Sequence, residues 1–196
     1  AGTWQMLTTA SFEISAPAVD VRLSMAVQRD ARVLVLASCQ PGQQPIPTCE
    51  AARKAFIEQY LTQIAIEHTV VLTSEDFLRE LRCGRYNVYW LSGGSEKLSV
   101  AMAKELRETV YRGNGLLVDG AHDQRTAMID EIAGFNFRGR HAQENQVLRG
   151  TGALLPAVDV NSYGRALHLE ITTGQPQANF VAAASAGVIS ASFGQG

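Results

Sequence analysis

A doubly wound, mainly parallel α/β sheet with antiparallel β segments added at both ends is the fold class that this 196-residue sequence predicts. Three observations predict it. Short, continuous apolar runs recur at 31–38, 69–72, 87–91 and 116–118, the texture of strands buried on both faces. Stretches of helical length separate them, which is the alternation that gives parallel sheets. Period-two segments lie outside this core, at residues 1–30 and 166–171, and such alternation marks strands with one solvated face.

Residues 1–30 alternate through Val19, Val21, Leu23, Met25 and Val27, with Pro17 as punctuation. They are read as an N-terminal β segment, either edge strands or the tail of a preceding β domain, with residues 31–196 as the α/β domain. Ala31–Ser38 is the first buried strand. The loop that follows, Cys39–Cys49, holds three prolines and one glycine and few apolar residues to close it. A disulfide between Cys39 and Cys49 is expected, because a covalent clip supplies what packing cannot. Thr48 is placed to cap a helix whose inward stripe is read as Ala52, Phe56, Tyr60 and Ile64.

After strand 69–72, Ser74, Glu75 and Asp76 open a second helix and Cys83-Gly84 closes it. The best-defined unit follows. Strand 87–91 leads through Ser92-Gly93-Gly94-Ser95 into a helix with Leu98, Met102, Leu106 and Val110 four apart; Gly113-Asn114-Gly115 ends it and strand 116–118 follows. Such a crossover is what a parallel strand pair requires. Further on, 124–132 reads as a short helix, 135–139 as a strand or turn, 139–153 as a long surface loop, 166–171 as a strand, 174–177 as a turn, and 180–193 as strand-prone.

In a doubly wound sheet the ligand crevice lies beyond the carboxyl ends of the strands. Three turns converge there: Ser38-Cys39-Gln40, Ser92 to Ser95, and Asp119-Gly120-Ala121-His122-Asp123. Ser92, Gly93, Gly94 and Ser95 are candidate anion ligands through amides at a helix start, although the Walker and dinucleotide patterns are absent. His122 and Asp123 are candidates for a general base and its orienter or for metal ligands, and Asp119 with Asp123 for a cation. Equally, Asp123 caps the next helix and His122 is solvated. His168 and Glu170, two apart on a strand, share one face, either in a site or on the wet side of an alternating strand.

A net charge of −2 gives no footprint for nucleic acid, and no apolar run is long enough to span a membrane. The expected disulfide points to an extracytoplasmic compartment. The Ala1 start and the Gly-Gln-Gly end are read as those of a segment from a longer protein.

The residues WLSGGSEKL and GLLVDGAHDQ resemble the class I glutamine amidotransferase-like, flavodoxin-like superfamily, and its trehalose-utilisation relatives in particular, which place a histidine where His122 stands. The resemblance covers roughly residues 31–135. It implies a nucleophilic cysteine at the elbow that Gly120-Ala121-His122 occupies here, and that cysteine is missing. The resemblance therefore implies a non-catalytic module, structural or interaction-bearing, of a larger bacterial secreted or cell-surface protein. Its partners would be neighbouring β-rich domains of the same polypeptide or another protein, with no cofactor and no metal. The alternative is a hydrolase of the trehalose-utilisation type using His122 and Asp123, with or without a metal.

Overall fold

The computed structural model describes residues 6–9, 31–39, 46–93, 98–119, 127–144, 146–152, 155–161, 165–182 and 185–194. The strands are β1 (Met6–Thr9), β2 (Arg32–Ala37), β3 (Glu67–Val71), β4 (Val88–Ser92), β5 (Gly115–Asp119), β6 (Phe135–Glu144), β7 (Val147–Gly150), β8 (Asp159–Asn161), β9 (Arg165–Ile171), β10 (Gln175–Phe180) and β11 (Ser185–Ala191). The helices are α1 (Ile46–Gln63), α2 (Ser74–Arg82), α3 (Val100–Tyr111) and α4 (Ala127–Ala133). Nine strands form one sheet in the order β3-β2-β4-β5-β1-β11-β10-β7-β8, and β6 with β9 forms a two-stranded ribbon.

Strand β2 shows why the first half folds as it does. Its side chains alternate between two buried faces. Val33, Val35 and Ala37 pack with Ile57 and Leu61 of α1 and Val70 of β3. Leu34 and Leu36 point the other way, into a larger core with Phe77 of α2, Leu106 of α3, Ile129 of α4 and Tyr89. Both faces are dry, so the run is continuously apolar. Tyr89 donates its hydroxyl to the carbonyl of Tyr86 at 3.0 Å, and burial pushes its phenol up to about 12. At the helix ends the caps are side chains: Thr73 accepts from the Asp76 amide and Ser99 from the Met102 amide.

The turn from α4 into β6 depends on Gly134. Its φ of +74° favours glycine, and an added Cβ would lie 2.7 Å from the Cβ of Ala191 and the backbone nitrogen of Gly174. Its carbonyl accepts from the amides of Thr172, Thr173 and Gly174, which ties β6 to the end of β9.

Several expectations are corrected here. A doubly wound, mainly parallel sheet of the flavodoxin-like or class I glutamine amidotransferase-like kind is not what forms. Four pairings are parallel, β2–β3, β2–β4, β4–β5 and β1–β5. Four are antiparallel, β1–β11, β10–β11, β7–β10 and β7–β8, so the sheet is mixed. Strand β1 sits between β5 and β11 and not at an edge of the sheet; the rest of the 1–30 segment lies outside the described residues. The region read as a surface loop, 139–153, contributes β6 and β7, and the turn read at 174–177 opens β10. Its alternation is broken by register shifts between Pro176, Ala178 and Asn179, which hid the strand.

Leu106 is fully buried while Val100, on the same helix, is 68% exposed. Chemical denaturation should therefore show Leu106→Ala losing about 2–5 kcal/mol and Val100→Ala staying within about 0.5 kcal/mol of the parent.

Candidate functional site

The carboxyl ends of β2, β4 and β5 lie side by side, and three of the predicted residues, Ser92, Gly93 and Asp119, are there. Backbone bonds join the ends: the Ser38 amide donates to the Ser92 carbonyl at 2.9 Å, and the Gly93 amide to the Asp119 carbonyl at 2.9 Å. Chain order supplies the location. From β2 the chain moves to β3 on one side and then to β4 on the other, so the β2–β4 boundary is the topological switch point.

Asp119 is the centre of the arrangement. Its carboxylate accepts from Nε1 of Trp90 at 2.6 Å and from Oγ of Ser92 at 3.2 Å. Nη1 of Arg53 lies 3.6 Å from Oδ1 of Asp119 and donates to Oγ of Ser92 at 3.2 Å. Side-chain exposure is 20% for Asp119 and 28% for Arg53, so the pair is only partly screened. Burial pushes the Asp119 carboxyl above its usual range, and Arg53, Trp90 and Ser92 oppose that rise without cancelling it.

Arg53 reaches Ser92 and Asp119 because α1 is turned to put it there. Arg53, Ile57 and Leu61 recur every four residues; Ile57 and Leu61 are buried and Arg53 is half-buried. The Cys39–Cys49 disulfide, with a Cα–Cα distance of 6.0 Å, joins the chain just after β2 to the first turns of α1. Arg53 is one turn beyond Cys49. Gly93 closes the arrangement: its φ is +73°, and an added Cβ would meet the Ser38 carbonyl oxygen at 2.6 Å and Nη1 of Arg53 at 2.7 Å.

Sequence reasoning missed Arg53 and Trp90. The stripe predicted to face inward, Ala52, Phe56, Tyr60 and Ile64, leaves Phe56 53% and Ile64 43% exposed. The true inward face is displaced by one residue. The available signal was the Cys39–Cys49 clip, which brings the residue one helical turn after Cys49 to the end of β2.

The other candidates divide. Gly94, Ser95, His122 and Asp123 lie outside the described residues. Of the Ser92 to Ser95 turn, Ser92 and Gly93 are described: the Gly93 amide donates to the Asp119 carbonyl, and the described part of α3 begins at Val100 with Ser99 as its cap. His168 and Glu170 do share a face of β9, but it is the exposed one, while Leu169 between them enters the core. Arg138 donates from Nε to the Glu170 carboxylate at 2.8 Å, and that bond holds the carboxyl below its usual range. Cys83 caps α2 as an exposed free thiol. Among the described residues no cluster of three or more metal-ligating side chains occurs, and no helix is long and apolar enough to cross a membrane.

No family model matches this sequence, and no curated protein does. Solved structures do. A catalytic mutant of a GH42 β-galactosidase from G. stearothermophilus aligns over 85% of this chain and 26% of its own, with a TM-score of 0.58 and 15% identity. An exo-β-1,4-mannosidase from Opitutaceae bacterium strain TAV5 aligns over 85% of this chain and 30% of its own, with a TM-score of 0.57 and 13% identity. The chain thus spans between a quarter and a third of those enzymes' lengths, and the likeness is one of fold. These neighbours are glycoside hydrolases, which corrects the amidotransferase-like and trehalose-utilisation resemblance inferred from WLSGGSEKL and GLLVDGAHDQ. Both motifs are short and glycine-containing, and glycine turns recur in unrelated parallel sheets.

Two predictions follow from this geometry. The double variant Cys39→Ser, Cys49→Ser should lose roughly 2–3 kcal/mol in urea unfolding, the amount expected for a clip closing a short loop. The second concerns pH. A carboxyl whose folded pKa is raised makes a contribution to stability that is complete below the unfolded value of 3.8 and is lost as pH rises through the folded value. In Asp119→Asn that component should vanish, so the wild-type curve should decline relative to the variant over this interval, as thermal unfolding across a pH series would show.

Proposed function

We propose that this chain is a non-catalytic α/β module of a larger, extracytoplasmic bacterial protein that acts on carbohydrate, and that its role is structural or interaction-bearing. The observation that carries this reading is Arg53 set against Asp119 at the switch point, with Gly93 close beneath it. A substrate would have to displace a side chain that is already paired. Glycoside hydrolysis ordinarily uses two carboxyl groups flanking an open sugar site, about 5–9.5 Å apart. The switch point offers Asp119, whose oxygens are engaged by Trp90 and Ser92. The carbohydrate context is supported by the β-galactosidase and exo-β-1,4-mannosidase neighbours, whose chains are three to four times the matched length. The disulfide supports the extracytoplasmic part.

Aryl β-galactosides and β-mannosides supply the test. The purified chain should turn over neither above the rate of a heat-denatured control, and neither Asp119→Asn nor His122→Ala should change that. Hydrolysis by the parent chain that disappears in His122→Ala or Asp119→Asn would overturn the reading in favour of an enzyme.

A further inference from the structure

Helix α1 carries two apolar stripes, and the fold uses one. Ile57 and Leu61 enter the core and Tyr60 packs against it, whereas Ala52, Phe56 and, just past the helix, Ile64 are exposed. A helix that is apolar on two sides is ordinarily covered on both. The charge pattern agrees. The most outward positions, Thr48, Ala51, Ala52, Ala55, Phe56, Gln59, Thr62 and Gln63, are uncharged, although a solvated helix face normally carries Lys and Glu. Lys54 and Glu58 flank that face, 3.7 Å apart with side chains 38% and 43% exposed.

We propose that this outer face is a self-association surface, on which α1 packs antiparallel against α1 of a second copy about a two-fold axis beside Phe56. Lys54 and Glu58 stand two residues either side of Phe56. Such an axis therefore sets Lys54 opposite Glu58 of the second copy and Glu58 opposite its Lys54, while the two Phe56 rings meet on the other flank. A self-complementary patch of this kind is what an isologous dimer needs. Ala51, Ala52 and Ala55 are small and exposed, which lets the helices approach closely. The helix has 18 residues and is about 27 Å long, so one helix pair falls short of the roughly 800 Å² per partner of a standard interface. Association is accordingly expected to be micromolar.

Sedimentation velocity over a micromolar concentration series tests this, and it is separate from the turnover assay. The wild-type mass should rise from one chain to two. Phe56→Glu should remain a single chain while keeping the parent's circular dichroism. Lys54→Glu and Glu58→Lys should each weaken association about tenfold, because each sets like charges opposite one another. An equimolar mixture of those two variants should recover it, since only the mixed pair aligns opposite charges at both contacts; repair of the intrachain pair cannot explain that recovery. A wild type that stays one chain throughout overturns the proposal, as does association that survives Phe56→Glu or a mixture that fails to recover.

Discussion

A carboxylate at the buried end of a strand needs a counter-charge, and much of the first half of this chain is arranged to provide one. Asp119 ends β5 where β2 and β4 also end, and the helix that covers one face of the sheet supplies Arg53. Ser92 links the two by accepting from Arg53 and donating to Asp119, and Trp90 completes the carboxylate's shell. Removing one partner of such a group strands the other in low dielectric, so the members constrain one another. The clip at Cys49 and the missing side chain at Gly93 fit the same requirement: one sets the start of α1, the other leaves room for the guanidinium.

This arrangement bears on function through geometry. In open α/β sheets the switch point is where ligands are held, and here protein groups fill it. A ligand entering would have to compete with a charge-assisted network already in place. The second half of the chain extends the same sheet with antiparallel strands, packing Leu148, Ala178, Phe180 and Val188 into a separate small core. The Asp119 network and this antiparallel wing are therefore built from different strands of one sheet, joined through β1 and β11.

How far the sequence could be read varies with the element. Strands β2, β4 and β5 were legible because burial on both faces leaves a nearly continuous apolar run, and the edge strand β3 was legible through its apolar end at Val70 and Val71. Strands β6, β7 and β10 were not, since Arg138, Gly139, Gln146, Arg149 and Pro176 break the alternation and bulges disturb the register. The phase of α1 was misread for a definite reason: the stripe through Phe56 is as apolar as the one through Ile57, and a periodic pattern cannot say which of two such stripes meets the sheet. Arg53 was lost with that phase, because a charged residue on a helix reads as solvated until something buried is found beside it.

By itself, then, the chain's order of residues determined local matters: where apolar runs extend, where caps and glycine turns fall, and that Cys39 and Cys49 close a loop with little apolar packing of its own. Only the tertiary structure decided which strands are neighbours, that Met6–Thr9 lies in the middle of the sheet, that half of its pairings are antiparallel, and that Arg53 meets Asp119. The physical reason is range. Caps, turns and strand texture are set by residues within a few positions of one another, whereas Arg53 and Asp119 are far apart along the chain and are brought together by the packing of α1 on the sheet.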